Sequence, residues 1–234
     1  MYLKTMTLNE LAYDIMSNIE GTSRISDDSE LSIDQVYFKI HTTRAMLIRQ
    51  DQSKGRSLSD NVMQTLPCLD VIKVDASECC GITSPCELYR TNLRLPRAIE
   101  TYQKDLIVRV SGVDITGPSW NYLSLAHLPW AGISKWTKDS TKWFTKGGYV
   151  YIVNPPPVTK ISVTGVFEDP TDLTEYPSCS GTPCFSNDTD EYPISSYMVP
   201  GLKQLVLEDL MRMRSAPADD KGNEENKVQN KIDQ

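Results

Sequence analysis

The sequence has no long apolar run and no segment typical of an export signal. No window approaches the roughly 18 apolar residues that a membrane-spanning helix requires. The opening MYLKTMTLNELAYD also lacks the apolar core of a signal peptide. We therefore expect a protein that is made in the cytoplasm and carries neither an export signal nor a membrane anchor.

Positive charge is in deficit as well. The chain has 24 Lys and Arg residues against 31 Asp and Glu residues, for a formal net charge of −7. A surface that holds nucleic acid needs Lys and Arg side chains for its phosphate contacts. The charge balance therefore argues against a dedicated nucleic-acid-binding protein.

Catalytic motifs are missing too. We find no phosphate-binding loop, dinucleotide fingerprint, nucleophile elbow or His-Glu-x-x-His motif. His41 and His127 are the only histidines, and no motif joins either of them to a Cys or Ser nucleophile. We predict that the protein is not an enzyme and needs no cofactor.

Six cysteines are too few for a disulfide-dense scaffold, so we expect reduced thiols. Two loops nevertheless hold a candidate zinc-ligand set, formed by Cys79, Cys80, Cys86, Cys179 and Cys184. An adjacent cysteine pair and a five-residue gap are unlike the spacing of zinc knuckles. Free cysteines are therefore favoured, and zinc is the alternative.

Helices are indicated at both ends of the chain. Thr7 and Glu10 have capping-box spacing, and Gly21 supplies a stop, which predicts a first helix between them. Ser32 starts a second helix over 32–52, joined to the first by a short polar linker typical of an antiparallel hairpin. A third helix is predicted from about 198 to 214.

Two charged residues lie within apolar helical faces. Arg44 is central on the second helix, and Asp209 falls within the apolar arc of the third, among Met198, Leu202, Leu205, Val206, Leu210 and Met213. A buried guanidinium needs a carboxylate or a set of carbonyls. Arg44 and Asp209 either pair with each other, or one of them faces a neighbouring subunit. Phe38 and Ala45 form a second apolar stripe on the second helix, which indicates contacts on more than one side.

The middle of the chain is rich in predicted strands. They cover residues 68–75, 87–92, 105–113, 149–153 and 161–167, and Gly147-Gly148 indicates a hairpin turn. Four tryptophans are typical of sheet packing more than of a ligand site: Trp120, Trp130, Trp136 and Trp143.

We predict an α+β fold in which the helical hairpin and the C-terminal helix pack together beside a mostly antiparallel β module. The predicted divisions are a helical hairpin over 1–52, a β-rich module over 53–195, a helix over 196–214 that packs on the hairpin, and a polar tail over 215–234.

Several short runs occur in an order that carries a resemblance across most of the chain. They are QVYFKI at 35–40, RAMLIR at 44–49, QTLPC at 64–68, CC at 79–80, GVFEDP at 165–170 and YPI at 192–194. In this succession the chain resembles virion ring proteins of crAss-like tailed bacteriophages.

The resemblance implies a structural protein of the virion neck or tail. It would be a head-to-tail connector or portal adaptor, a ring-shaped homo-oligomer such as a dodecamer, made in the host cytoplasm. Its implied partners are copies of itself, the portal and adjacent ring proteins, with genomic DNA only in transit and no membrane. The alternative is a monomeric binding or zinc-binding domain that uses the tryptophan-rich segment or the cysteine loops.

Overall fold

The computed structural model describes residues 6–21, 31–75, 88–102, 104–114, 116–130 and 139–215. The helices are α1 (Leu8–Glu20), α2 (Ile33–Ser53) and α3 (Val199–Ser215). The strands are β1 (Gln64–Val74), β2 (Leu88–Thr91), β3 (Ile107–Gly112), β4 (Asn121–Tyr122), β5 (Lys142–Lys146), β6 (Tyr149–Val153) and β7 (Lys160–Gly165). Short 3-10 helices cover Asp60–Val62, Leu125–Trp130 and Pro170–Glu175.

The ends of α1 and the start of α2 follow the local signals in the sequence. The Thr7 hydroxyl accepts from the Glu10 N–H, and the Glu10 carboxylate accepts from the Thr7 N–H, which completes the capping box. Gly21 ends α1 in the left-handed conformation (φ 65°), which favours glycine. The Ser32 hydroxyl accepts from the Gln35 N–H at the start of α2. None of the three described helices is both long and apolar enough to cross a membrane.

The three helices pack into one layer. α2 and α3 run antiparallel, because Lys39 of α2 pairs with Asp209 near the end of α3, while Tyr197 just before α3 donates to Asp51 near the end of α2. α1 joins through the ion pair of Lys203 Nζ with Asp14 Oδ2 at 2.8 Å. Their shared apolar core includes fully buried side chains from each helix, among them Leu8, Ile40 and Leu202.

The seven strands form one sheet in the order β3-β7-β1-β2-β6-β5-β4. Neighbouring strands are antiparallel except β4 and β5, which are parallel. Gly147 and Gly148 form the predicted two-residue turn between β5 and β6, with φ of 61° and 82°. Positive φ at both central residues is typical of a type I′ turn, so the predicted hairpin is confirmed.

β1 begins at Gln64, earlier than the predicted start at residue 68. Its pairing with β7 shifts between Leu66 and Leu69, and this bulge contains Pro67 and Cys68. Proline has no N–H to donate, so within a sheet it is tolerated at such an irregularity. The bulge therefore lets β1 continue through Pro67 and Cys68, where its regular pairing with β7 is interrupted.

The helical layer packs against one end of the sheet. Its apolar cluster includes Leu106, directly before β3, and Val166, directly after β7. A second cluster covers one face of the sheet, with Ile152 and Val163 among its buried members, and a third covers the opposite face around Phe144. The arrangement confirms the predicted α+β class, with the helices collected at one end of a mainly antiparallel sheet.

Candidate functional site

Arg44 lies at the centre of the buried face of α2 and is 0% exposed. Its Nε donates to the Pro193 carbonyl at 2.6 Å, one Nη to the Phe167 carbonyl at 2.7 Å, and the other to the Val62 carbonyl at 3.4 Å. We term these four residues the Arg44 node. A guanidinium suits this position because its planar fork presents several donors in different directions. The node ties α2 to three segments that are far apart in sequence.

The node confirms one prediction about Arg44 and corrects another. We expected the buried guanidinium to bind either a carboxylate or a set of carbonyls, and it donates to three carbonyls. The predicted ion pair between Arg44 and Asp209 is wrong, because Asp209 is half-exposed and pairs with Lys39 at 3.4 Å. A neighbouring subunit cannot supply the partner of Arg44 either, since the guanidinium is enclosed within its own subunit.

His41 lies one turn before Arg44 and is buried beside the node. Its Nδ1 is 2.9 Å from the Tyr192 hydroxyl oxygen, and its Nε2 is 3.6 Å from Asp169 Oδ1. Burial lowers the pKa of His41 to about 4; the Asp169 carboxylate opposes this lowering and Arg44 adds to it. Burial also raises the pKa of Tyr192. The imidazole is therefore neutral at pH 7 and joins α2 to the segments that follow β7 and precede α3.

The other histidine lies elsewhere. His127 is exposed in the 3-10 helix Leu125–Trp130. The structure therefore does not bring the two histidines together. The described partners of His41 are a tyrosine and a carboxylate, which orient the ring without supplying a Ser or Cys nucleophile.

The cysteines depart from the expected reduced thiols. Cys68, in the β1 bulge, is disulfide-bonded to Cys179, which is 111 residues away in sequence. While this bond is closed, Cys179 is not available as the zinc thiolate that the alternative required. Cys184 is a free thiol whose pKa is raised by burial. The remaining candidate ligands, Cys79, Cys80 and Cys86, lie outside the described residues. Within the described ranges, no group of three or more His, Cys, Asp or Glu side chains is placed to hold a metal ion.

The disulfide and the node hold the same part of the chain. We define the arm as residues 168–193, which connect the end of β7 to the segment before α3. Arg44 binds the carbonyls of Phe167 and Pro193, at the two ends of the arm. Leu173 and Phe185 of the arm are buried in the core of the sheet. The Cys68–Cys179 disulfide links the middle of the arm to β1.

The tryptophans divide between packing and exposure. Trp143 is buried in the sheet core, and Trp120 packs against it and accepts through its carbonyl from Trp143 Nε1 at 3.1 Å. The packing interpretation is confirmed for these two. Trp130 is 66% exposed, so the interpretation is wrong there. Trp136 lies outside the described residues.

Large apolar side chains are exposed at one end of the helical layer. Phe38 on α2 is 67% exposed, and Met211 and Met213 on α3 are 54% and 55% exposed. The Lys39–Asp209 pair sets Phe38 at the level of the last turns of α3. We term these three residues the helical end patch. Met213 was expected in the buried arc and is exposed, so that expectation is corrected. The second stripe of Phe38 and Ala45 was expected to be in contact with other parts of the protein. Ala45 is buried, as expected, whereas Phe38 is exposed in the subunit.

An apolar cleft of about 290 Å³ opens between α1 and the start of α3. Its described lining includes Met6, Leu11, Ile194, Val199 and Pro200, and contains no His or Cys. Glu191 and Lys203 line the cleft as well, so it offers a mainly apolar contact surface with two charged side chains. The cleft was not predictable from the sequence, because its walls come from three segments that meet only in the fold.

Two comparisons with known proteins bear on this arrangement. The family model described as phage tail ring protein 2 matches residues 10–231. Ring protein 2 of Bacteroides phage crAss001 is 29% identical over 227 residues, which cover 93% of this chain and 96% of that protein. Both findings agree with the resemblance carried by the short sequence runs. The chain belongs to the phage tail ring protein 2 family.

Proposed function

We propose that this protein is a structural component of the phage virion that assembles with copies of itself into a closed ring, such as a dodecamer. We place the ring in the neck or tail, between the portal and the tail, where it acts as a head-to-tail connector or portal adaptor. Family membership and the name of the crAss001 relative support a ring. The position in the virion and the subunit number are our proposal.

The observation that carries this proposal is the helical end patch. Arg44 and the apolar core are satisfied within one subunit, yet Phe38, Met211 and Met213 remain more than half exposed. Burying one such side chain contributes about 1.5–3 kcal/mol. In a closed ring, each subunit meets its two neighbours through different surfaces. We propose that the helical end patch is one of these surfaces and lies against the next copy.

The charge of the subunit is compatible with a conduit for the genome. A net charge of −7 provides no general attraction for phosphates. DNA would therefore pass through the ring with few lasting contacts, and we propose that it is bound only in transit. The lasting partners would be other copies of the chain, the portal and adjacent ring proteins.

The alternative of a monomeric zinc or tryptophan-based binding domain has less support. Cys179 is held in a disulfide, and Trp143 is buried in the sheet core. Within the described part of the chain, the buried His41 contacts no nucleophile. We accordingly expect a structural protein without catalytic activity.

Replacing one residue of the patch tests the proposal. Phe38→Asp places a charge in the proposed interface without touching the core, so we expect the mass distribution to shift from large oligomers towards the monomer. Gln50→Asp is the matched control, because Gln50 is exposed on the same helix near its opposite end. Light scattering coupled to size exclusion measures the mass, and circular dichroism checks the fold. Equal oligomer fractions for the wild type and both variants would refute the role of the patch.

A further inference from the structure

The Cys68–Cys179 pair is reachable from solvent. The two Cα atoms are 5.2 Å apart, within the usual range for a disulfide. Cys179 is exposed and Cys68 is half-buried, so a small thiol or disulfide in solution can approach the sulfurs. The bond is therefore open to chemical exchange in the folded protein.

Non-covalent contacts hold the two cysteines near each other independently of the bond. Around Cys179, the Ser178 N–H donates to the Thr182 carbonyl at 2.6 Å, and the Cys184 N–H donates to the Tyr176 carbonyl at 3.0 Å. These bonds close a tight hairpin loop whose flanking residue Phe185 is buried in the same apolar cluster as Leu66 and Leu69 of β1, which lie on either side of Cys68. Opening the disulfide would therefore leave both sulfurs in place and able to re-form it.

We propose that Cys68 and Cys179 form a redox latch on the arm, which is a dithiol in a reducing compartment and closes outside it. Closure uses a low-molecular-weight disulfide such as oxidised glutathione. The Cys179 thiolate attacks one sulfur of this compound and releases the first small thiolate. The Cys68 thiolate then attacks Sγ of Cys179 in the mixed disulfide and releases the second. The protein loses two protons and two electrons, and the small disulfide is reduced to two thiols.

The latch changes stability and leaves the fold as it is. The fold places Arg44 at both ends of the arm and its apolar side chains in the core, whether the bond is open or closed. The disulfide closes a loop of 111 residues, and cross-linking a chain over such a span restricts mainly the unfolded state. Loop-closure entropy predicts that the closed form has an unfolding equilibrium constant on the order of a thousandfold lower than the open form.

Urea unfolding of the full-length protein tests the latch. One sample is equilibrated with dithiothreitol and the other with oxidised glutathione, and we expect a clearly higher midpoint in the second. Peptide mapping by mass spectrometry should find Cys68 linked to Cys179 only in that sample. A missing cross-link after oxidation, or equal midpoints in both samples, would overturn the proposal.

Variants assign the response to this pair. Cys68→Ser and Cys179→Ser should each abolish the difference between the two conditions and unfold like the reduced wild type. Cys184→Ser is the matched control, because Cys184 is free and lies only five residues beyond Cys179, and it should keep the full response. A combined replacement of Cys79, Cys80 and Cys86 by Ser should keep it as well. Persistence of the response in Cys68→Ser would also contradict the latch.

Discussion

Replacing Arg44 by methionine removes the fork of donors from the centre of the fold and keeps a side chain of similar length. The carbonyls of Val62, Phe167 and Pro193 then lose their charged donor in a place that water does not reach. The variant separates the role of the guanidinium from the role of side-chain volume. Arg44→Met therefore tests directly whether the Arg44 node stabilises the subunit.

The size of the effect follows from the geometry of the bonds. Two of the three bonds are short, at 2.6 and 2.7 Å, whereas the third is long at 3.4 Å. A hydrogen bond to a charged group contributes about 1.5–3 kcal/mol, so the two short ones contribute roughly 3–6 kcal/mol. Removing the guanidinium also removes the cost of burying it, which offsets part of that loss. We expect a net loss of about 3 kcal/mol, which is a large fraction of a typical stability of about 5–15 kcal/mol.

Urea unfolding followed by far-UV circular dichroism measures this loss. Arg49→Met is the matched control on the same helix, because the Arg49 side chain is 42% exposed and pairs with Glu168 at the surface. Exposed ion pairs contribute about 0–1 kcal/mol, so the control should lose less than about 1 kcal/mol. If Arg44→Met loses no more stability than Arg49→Met, the reasoning about the node is refuted.

Three further predictions concern the titration of a buried histidine and the backbone conformation at two glycines. Burial lowers the pKa of His41 to about 4, whereas its pKa in the unfolded chain is near 6.5. As the pH falls, the unfolded chain therefore binds the proton first. The free energy of unfolding should decrease by roughly 2–3 kcal/mol between about pH 6.5 and pH 4. His41→Asn should remove that part of the pH dependence in urea unfolding, whereas the control His127→Asn, at an exposed position, should not. Equal pH profiles for both variants would contradict the assignment of this pH dependence to His41. Gly148→Ala should lower the thermal midpoint, with a cost of about 1–2 kcal/mol, because φ is 82° there. Gly201→Ala in α3 should raise the midpoint, with a gain in stability of about 0.5–1 kcal/mol, because its added methyl meets nothing within 4 Å. A loss of stability there would contradict this argument.

Features set by local chemistry were predictable from the sequence. The capping box of Thr7 and Glu10 positioned the start of α1, and the paired glycines at 147–148 identified the β5–β6 hairpin. Each signal acts over a few residues, through backbone hydrogen bonds or allowed dihedral angles. The α+β class followed because helical and strand periodicities occupied separate parts of the chain.

Features that depend on distant parts of the chain were not predictable. A helical wheel shows that Arg44 needs partners, yet it carries no information on the carbonyls of Val62, Phe167 and Pro193, because every residue has a carbonyl. The helical wheel indicated Asp209 as the partner of Arg44 only because a carboxylate on an apolar helical face is easily recognised in a sequence. The Cys68–Cys179 bond was missed for a related reason, since six cysteines allow many pairings and only the fold selects one.

Cryo-electron microscopy of the virion neck and tail tests the proposed assembly most directly. Our account predicts a closed ring with a fixed number of copies of this chain between the portal and the tail, in which Phe38 of each copy lies against the next copy. Density that shows the chain only as isolated copies, or a ring in which Phe38 faces solvent on every copy, would contradict it.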